Sequence, residues 1–327
     1  MALTDSFGRN HNYLRISLTD ACNFRCFYCM PNEEVSCTPN AQLMQADEIL
    51  TLAKQFVALG VTKIRLTGGE PLVRKEASEI MNALSQLPVE LCITTNGALI
   101  HKFRDTFLSS GIRSVNVSLD TLDENRFQLL TKRSHFHQVQ ENIEWLLLND
   151  FSVKVNAVLI QGMNDKEIND FIELTRHKKL HIRFIEFMPF TDNGWQDDRL
   201  VSQKQILDTA QEKFDIIKLQ DEQNATAKKY KAIGCEGTFA IISTMTNPFC
   251  DSCNRIRLTA DGKIKNCLFS QTETDLLAAL RKGEDVESLI QGAIDRKKEK
   301  LGGQLFNNFS TEDYKKLENR SMIRIGG

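Results

Sequence analysis

Apolar and polar residues alternate through most of this chain, at two different periods. In YLRISL (13–18), Leu14, Ile16 and Leu18 share one face and Arg15, Ser17 and Thr19 the other. KIRLT (63–67), LCITT (91–95), SVNVSL (114–119), VKVNAVL (153–159) and HIRFIEF (181–187) also read as strands, the last with a less regular alternation. Between them the period lengthens. ADEILTLAKQFVALG (46–60) is an amphipathic helix closed by Gly60, and helices are expected over 75–87, 99–110, 135–149, 165–176 and 202–213. Six strand–helix units in series predict a parallel sheet, and right-handed crossovers curl it into a barrel or an arc of one.

The polar faces add a second inference. Helices must cover the apolar face, so Arg15, Ser17, Lys63, Arg65, Thr67, Asn116, Ser118, Asp120, Lys154 and Asn156 point into the lumen. A closed barrel normally fills that space with branched apolar side chains. Charged groups buried there need a partner, so the lumen is expected to be wide, wet and occupied by a polar, anionic ligand.

After about residue 214 the pattern changes. FDIIKL (214–219), GTFAIIST (237–244) and RIRLTA (255–260) read as strands. Asp261-Gly262 signals a hairpin into KIKNCL (263–268), helices follow over 272–281 and 285–299, and the polar DEQNATAKKY (221–230) reads as a loop. The predicted fold class is α/β, a partial (βα)6 TIM-like barrel over 1–220 with a smaller C-terminal α+β annex over 221–327.

Composition narrows the class of protein. The net charge of −2 in 327 residues offers no chain-wide field for nucleic acid or membrane. No apolar run reaches the roughly 20 residues of a membrane span. The opening MALTDSFGRN lacks the basic end and apolar core of a leader, so a cytoplasmic location is expected. Nine cysteines in a reducing compartment then suggest metal rather than disulfides.

Six of the nine fall into two sets of three: Cys22, Cys26 and Cys29, then Cys250, Cys253 and Cys267. The first follows strand one, at the barrel end where chemistry is carried in this architecture. Thiolates there suit zinc, with Cys37 or a His as fourth ligand, or a 4Fe–4S cluster with one iron left open. The second set has one Cys-x-x-Cys pair and a single cysteine beyond the hairpin. It suits a zinc ribbon completed by Cys235, or another cluster with an open iron. Arg255 and Arg257 follow directly on one strand face and, with Arg15, Arg65 and Lys154, make five cations suited to phosphate oxygens. The absence of a Gly-x-x-x-x-Gly-Lys-Ser/Thr loop argues against P-loop hydrolysis. Gly326-Gly327 could thread into a pocket too narrow for larger residues.

Cys-x-x-x-Cys-x-x-Cys with Tyr28 before the last cysteine resembles the radical S-adenosylmethionine (SAM) superfamily. CNFRCFYC, TGGEPL, TTNG, NVSLD, FIEFMP, CDSCNRIRL and the terminal Gly-Gly together resemble its GTP 3′,8-cyclase family, from about residue 8 to 327. That resemblance implies two 4Fe–4S clusters, on Cys22, Cys26 and Cys29 and on Cys250, Cys253 and Cys267. It implies SAM contacts from Tyr28, Gly69, Ser118 and Met188. GTP contacts would come from Arg15, Arg65, Thr94 (or its neighbour Thr95), Lys154, Arg255, Ile256 and Arg257. Arg255, Arg257, Gly326 and Gly327 would serve catalysis. A deoxyadenosyl radical would take the ribose 3′ hydrogen and the ribose radical would attack guanine carbon 8, as the first step of molybdenum-cofactor biosynthesis. A reduced donor such as flavodoxin, cyclic pyranopterin monophosphate synthase as the next enzyme, and a homodimer are the implied partners. Two alternatives stand beside it: a radical SAM enzyme acting on a peptide, and a zinc-stabilised binding module without catalysis.

Overall fold

The computed structural model describes residues 2–30, 37–191, 193–304, 310–314 and 316–326. The barrel strands are β1 (Tyr13–Ser17), β2 (Lys63–Thr67), β3 (Glu90–Thr95), β4 (Ser114–Ser118), β5 (Ser152–Leu159) and β6 (His181–Glu186). They pair in sequence order and in parallel. Their outer cover is α1 (Ala46–Ala58), α2 (Ala77–Leu84), α3 (Arg104–Ser109), α4 (Glu124–Thr131), α5 (Phe136–Leu148), α6 (Ile168–Glu173) and α7 (Gln203–Gln211). The expected elements are present. The added helix is α4, too short to show a period, which seats Phe127 and Leu130 in the core.

Leu14, Ile16, Ile64, Leu66, Ile93, Val115, Val117, Val153 and Val155 are buried under those helices in one apolar core. Each such side chain contributes about 1.5–3 kcal/mol on leaving water. Helix starts are set by side chains that reach back to free amides. Gln45 and Glu48 form a reciprocal capping box on α1, and Ser202 and Gln205 do so on α7.

The later strands are β7 (Ile216–Lys218), β8 (Lys228–Ala232), β9 (Thr238–Ile242), β10 (Arg255–Leu258), β11 (Lys263–Lys265) and β12 (Thr274–Asp275). They continue the same sheet at both edges. The order is β12-β11-β10-β1-β2-β3-β4-β5-β6-β9-β8-β7, with β10 parallel to β1 and β9 parallel to β6. The stretch expected to be a loop at 221–230 instead feeds β8, whose single buried aromatic, Tyr230, stacks on Phe239 of β9. The Asp261-Gly262 hairpin forms between β10 and β11. Beyond it lie α8 (Leu276–Lys282), α9 (Val286–Asp295), α10 (Thr311–Tyr314) and α11 (Met322–Ile325). Arg255 of β10 donates to Thr226, in the segment before β8, so side chains from the two sheet edges meet across the lumen.

Candidate functional site

Cys22, Cys26 and Cys29 lie in the loop leaving the C-terminal end of β1. Two amides of the turn after β2 fix that loop: Gly69 N donates to Thr19 O at 2.7 Å and Glu70 N to Ala21 O at 2.9 Å. A Cβ on Gly69 would stand 2.5 Å from Ala21 O and 2.6 Å from Asp20 O, so only glycine permits this approach. Burial raises the Cys22 thiol to about 11, helped by the Glu70 carboxylate. Burial also lifts Cys26 and Cys29 far above the ordinary thiol range; Cys29 and Asp120 add to it for Cys26, and Cys22 and Asp120 for Cys29. Three such sulfurs become thiolates together only around a positively charged group. Tyr28 donates its hydroxyl to Asp120, and burial raises that carboxyl to about 6 despite the bond.

The second set lies at the other end of the barrel. Cys253 precedes β10, which runs parallel to β1, and so sits at the opposite sheet end from the first loop. The β10–β11 register, Arg257 opposite Lys265, carries Cys267 back level with Arg255. Lys297, at the end of α9, is buried and donates to Arg255 O at 3.1 Å and Asn266 O at 2.7 Å. Its ammonium lies 3.9 Å from Cys253 Sγ. Burial alone would raise the Cys253 thiol, but Lys297, Arg255 and Arg9 hold it below its ordinary value. Arg9 is itself tied to Cys250 O at 2.9 Å and Glu299 O at 2.7 Å. Cys235 precedes β9 and packs in the main core, whereas Cys250 follows β9, so the two lie at opposite ends of that strand.

Among the described residues no three Cys, His, Asp or Glu side chains converge as a single metal ion requires. A four-iron cluster takes one sulfur per iron and needs no such convergence.

One cavity runs from the first cysteine set to the arginines of β10. It holds about 280 Å³, close to the lower bound of the roughly 300–1,000 Å³ of a single small-molecule site. Cys22, Cys26, Cys29, Tyr28, Gly69, Ser118 and Met188 line its upper part, and Arg15, Thr94, Arg183, Arg255 and Arg257 its lower part. Thr94 Oγ1, Asn116 Oδ1, Asn156 Oδ1 and Arg183 Nε are buried with no hydrogen-bond partner among the described residues. Buried polar atoms are rarely left so, and these await a polar ligand. Burial, with Arg255 beside it, lowers Arg257 to about 10. Burial and Arg65 do the same for Arg183.

The chain's last described residue, Gly326, lies against Arg257 and Thr67 of the cavity wall. Arg257 Nη1 donates to Gly326 O at 2.9 Å. A Cβ on Gly326 would meet Thr67 Oγ1 at 2.7 Å and Ser17 Cβ at 2.9 Å, and its φ is +77°. Gly327 lies outside the described residues.

Other sites expected from sequence fall less directly. Arg65 faces the lumen but is committed to Tyr13 Oη at 2.6 Å and Ile93 O at 2.8 Å. Lys154 is half-buried beside the cavity, and burial with Arg183, Arg65 and Lys63 lowers it to about 8. The Ile256 side chain is in the apolar core, so only its backbone is left to meet a ligand. Thr95 Oγ1 is bonded to Glu70 at 2.8 Å, which separates it from Thr94. Sequence reasoning missed Tyr13, Arg183 and Lys297. For Arg183 the signal was present, since it alternates with Ile182 and Phe184 on β6.

The radical SAM superfamily pattern matches residues 16–175, and the pattern described as Molybdenum Cofactor Synthesis C matches 180–302. Solved structures of Streptococcus suis SuiB share the fold. The form bound to precursor peptide SuiA has a TM-score of 0.65 at 16% identity, covering 96% of this chain and 70% of that one. Fold and sequence together define a radical SAM protein with a molybdenum-cofactor-type C-terminal region.

Two relatives take the assignment further. "GTP 3′,8-cyclase, mitochondrial" of Arabidopsis thaliana is 46% identical over 99% of this chain and 83% of its own length. "GTP 3′,8-cyclase" of Listeria welshimeri is 39% identical over 99% of each chain. The chain belongs to the GTP 3′,8-cyclase family. It spans 51% of the length of the bovine "Molybdenum cofactor biosynthesis protein 1", to which it is 44% identical. No helix among the described residues is long and apolar enough to cross a membrane.

Proposed function

We propose that this chain is a radical SAM lyase that converts GTP to (8S)-3′,8-cyclo-7,8-dihydroguanosine 5′-triphosphate, the first step of molybdenum-cofactor biosynthesis. One observation carries the reading: one cavity is lined at one end by Cys22, Cys26 and Cys29 and at the other by Arg255 and Arg257, with unsatisfied polar atoms between them, and the strand of those arginines follows directly on Cys250 and Cys253.

The residues fit the cofactors this family implies. Cys22, Cys26 and Cys29 would hold one 4Fe–4S cluster, and the glycine cradle at Gly69 beside them takes the SAM backbone with Tyr28, Ser118 and Met188. Cys250, Cys253 and Cys267 would hold the auxiliary cluster. When bound, the first cluster and SAM supply the one-electron cleavage that starts hydrogen removal from the ribose.

The chain's own residues do the rest. Arg15, Arg183, Arg255 and Arg257 bind the triphosphate, with Arg65 and Lys154 behind them. Their guanidiniums present paired N–H groups that match phosphate oxygens. Thr94 supplies a free hydroxyl, and Ile256 only its backbone. Arg257 also holds Gly326 against the cavity wall, where it helps exclude water. Met322 and Ile323 line the same wall.

The cytoplasm as compartment, a 1–220 core with a 221–327 annex, a flavodoxin-like donor, the next pathway enzyme and a homodimer belong to this same reading. The peptide alternative shares the fold of SuiB, but the lining arginines suit phosphate better than peptide.

The test is anaerobic incubation of reconstituted protein with SAM, GTP and a reductant, followed by mass analysis of the nucleotide. A product isobaric with GTP but with carbon 8 joined to the ribose is expected. Unchanged GTP beside cleaved SAM would overturn the substrate assignment.

A further inference from the structure

We propose that Lys297 is a positioning residue for the second cysteine set: its buried ammonium ties together the strands bearing Cys253 and Cys267 and favours the more negative redox state of the group they hold. The inference rests on the functional reading above and adds what sets the electron balance at that end.

Lys297 belongs to a charged run and turns inward from it. In Arg296-Lys297-Lys298-Glu299-Lys300 the other four residues are exposed, whereas Lys297 is 4% exposed. Its amide donates to Ile294 O at 2.9 Å, which fixes the backbone from which the side chain starts. The ammonium has three N–H groups and three partners: Asn266 O at 2.7 Å, Arg255 O at 3.1 Å and Cys253 Sγ at 3.9 Å. Asn266 directly precedes Cys267, and Arg255 stands two residues after Cys253. One side chain therefore braces both arms of the hairpin that carries these cysteines.

The brace leaves a charge to be matched. Two of its partners are neutral carbonyls, and no carboxylate among the described residues pairs with Lys297. Asp5 is committed to Arg9 at 2.6 Å and to His11 at 3.0 Å. A buried cation without an anion is costly, so the sulfurs that Lys297 faces are its counter-charge. Arg255 and Arg257 also act on these sulfurs, but both line the cavity, where a bound nucleotide's phosphates take up their charge. Lys297 is not part of that lining, so its charge stays on the cysteines with nucleotide bound or absent. At the first set the neighbours are Glu70 and Asp120 instead. Reduction of the bound group adds one electron, taken from a one-electron reductant, and no proton. The added negative charge is favoured beside Lys297 and disfavoured beside the two carboxylates.

The test uses the reconstituted holoenzyme and the variants Lys297→Gln, Lys297→Arg and Lys297→Met. Metal analysis comes first, then a dithionite titration followed by electron paramagnetic resonance. The signal that changes on adding SAM reports the first set, and the other signal the second. Lys297→Gln keeps N–H donors and loses the charge. At the potential where the parent's second signal is half-reduced, its ratio of reduced to oxidised form should fall about ten-fold, a downward shift of about 59 mV for one electron. Lys297→Arg should keep the parent value, and the first signal should not move in any variant. An unchanged second midpoint in Lys297→Gln would overturn the proposal. So would an equal drop in Lys297→Arg, or a first signal that moves as far as the second. Lys297→Met loses the brace as well and should release the second set's iron to a chelator several-fold faster than Lys297→Gln; equal release from parent and both variants would overturn the bracing role. Zinc at the second set of the parent would overturn the functional reading itself, whereas a two-cluster parent with an unmoved midpoint in Lys297→Gln would sink this inference and leave that reading standing.

Discussion

The two cysteine sets offer the same donor atoms in opposite surroundings. At the upper end, Glu70 and Asp120 stand beside Cys22, Cys26 and Cys29 and push the thiols further up. At the lower end, Lys297, Arg255 and Arg9 pull the Cys253 thiol down against its own burial, while burial raises Cys250. The difference matches two ligands of opposite charge. SAM is a sulfonium cation with an ammonium group, and carboxylates favour it. GTP is a polyanion, and the arginines favour it. Coulombic terms gain weight where water is excluded, so the neighbours sort the ligands between two otherwise similar ends.

Removing one sulfur from each end is the most severe way to break this comparison. Cys26→Ala should abolish reductive SAM cleavage, since three ligands become two. Cys253→Ala should leave SAM cleavage measurable and eliminate conversion of GTP. Iron per chain should fall from about eight to about four in either variant. Separate assays of 5′-deoxyadenosine and nucleotide product check this. Equal loss of SAM cleavage in both would mean that the ends do not act separately.

Arg257→Ala comes next. It deletes a cation from the lower end and the bond to Gly326 O. A charge-assisted contact of this kind is worth about 1.5–3 kcal/mol. GTP affinity by calorimetry should weaken accordingly, with SAM affinity unchanged; normal GTP binding would refute the assignment of the lower cavity. Gly326→Ala removes no charge, but its Cβ meets Thr67 and Ser17 and its φ is positive. Turnover should drop about ten-fold with little change in melting temperature. A large fall in melting temperature at normal rate would make Gly326 a structural residue only.

Much of this contrast is legible in the sequence, because β1, β2, β4 and most of β5 alternate apolar with polar residues. The paired cysteine spacings and Arg255-Ile256-Arg257 are local patterns, and the structure keeps them together. Strand β6 was harder. Ile185 occupies a lumen position and Glu186 a covered one, where amides of Met245 at 2.8 Å and Thr246 at 3.0 Å satisfy its carboxylate. That inversion hid Arg183. Strand β8 was obscured because KKYKA reads as a charged run, whereas its lysines are half-buried and Tyr230 is buried. Lys297 left no local trace: in RKKEK it reads as one of a solvated charge run. Only the docking of α9 against β11 brings it to Cys253.

The smallest effect is also the most discriminating, because the two ends should respond to pH in opposite senses. Asp120 titrates at about 6 in the free protein, raised by burial. A bound cation would lower that value. Burial raises Glu70, at the same end, to about 7, so SAM affinity should be full above pH 7 and decline as pH falls through 7 and then 6, because binding must expel the protons. Lys154 titrates at about 8, lowered by burial and by Arg183, Arg65 and Lys63. A bound triphosphate would raise it. GTP affinity should thus be full below pH 8 and decline as pH rises through it. Each slope is a few-fold per pH unit, bounded at about ten-fold for a single proton. Asp120→Asn should lessen the first dependence alone, and Lys154→Met should flatten the second alone. If both affinities moved in the same direction with pH, the sorting of ligands by local charge would fail, even with every cysteine in its place.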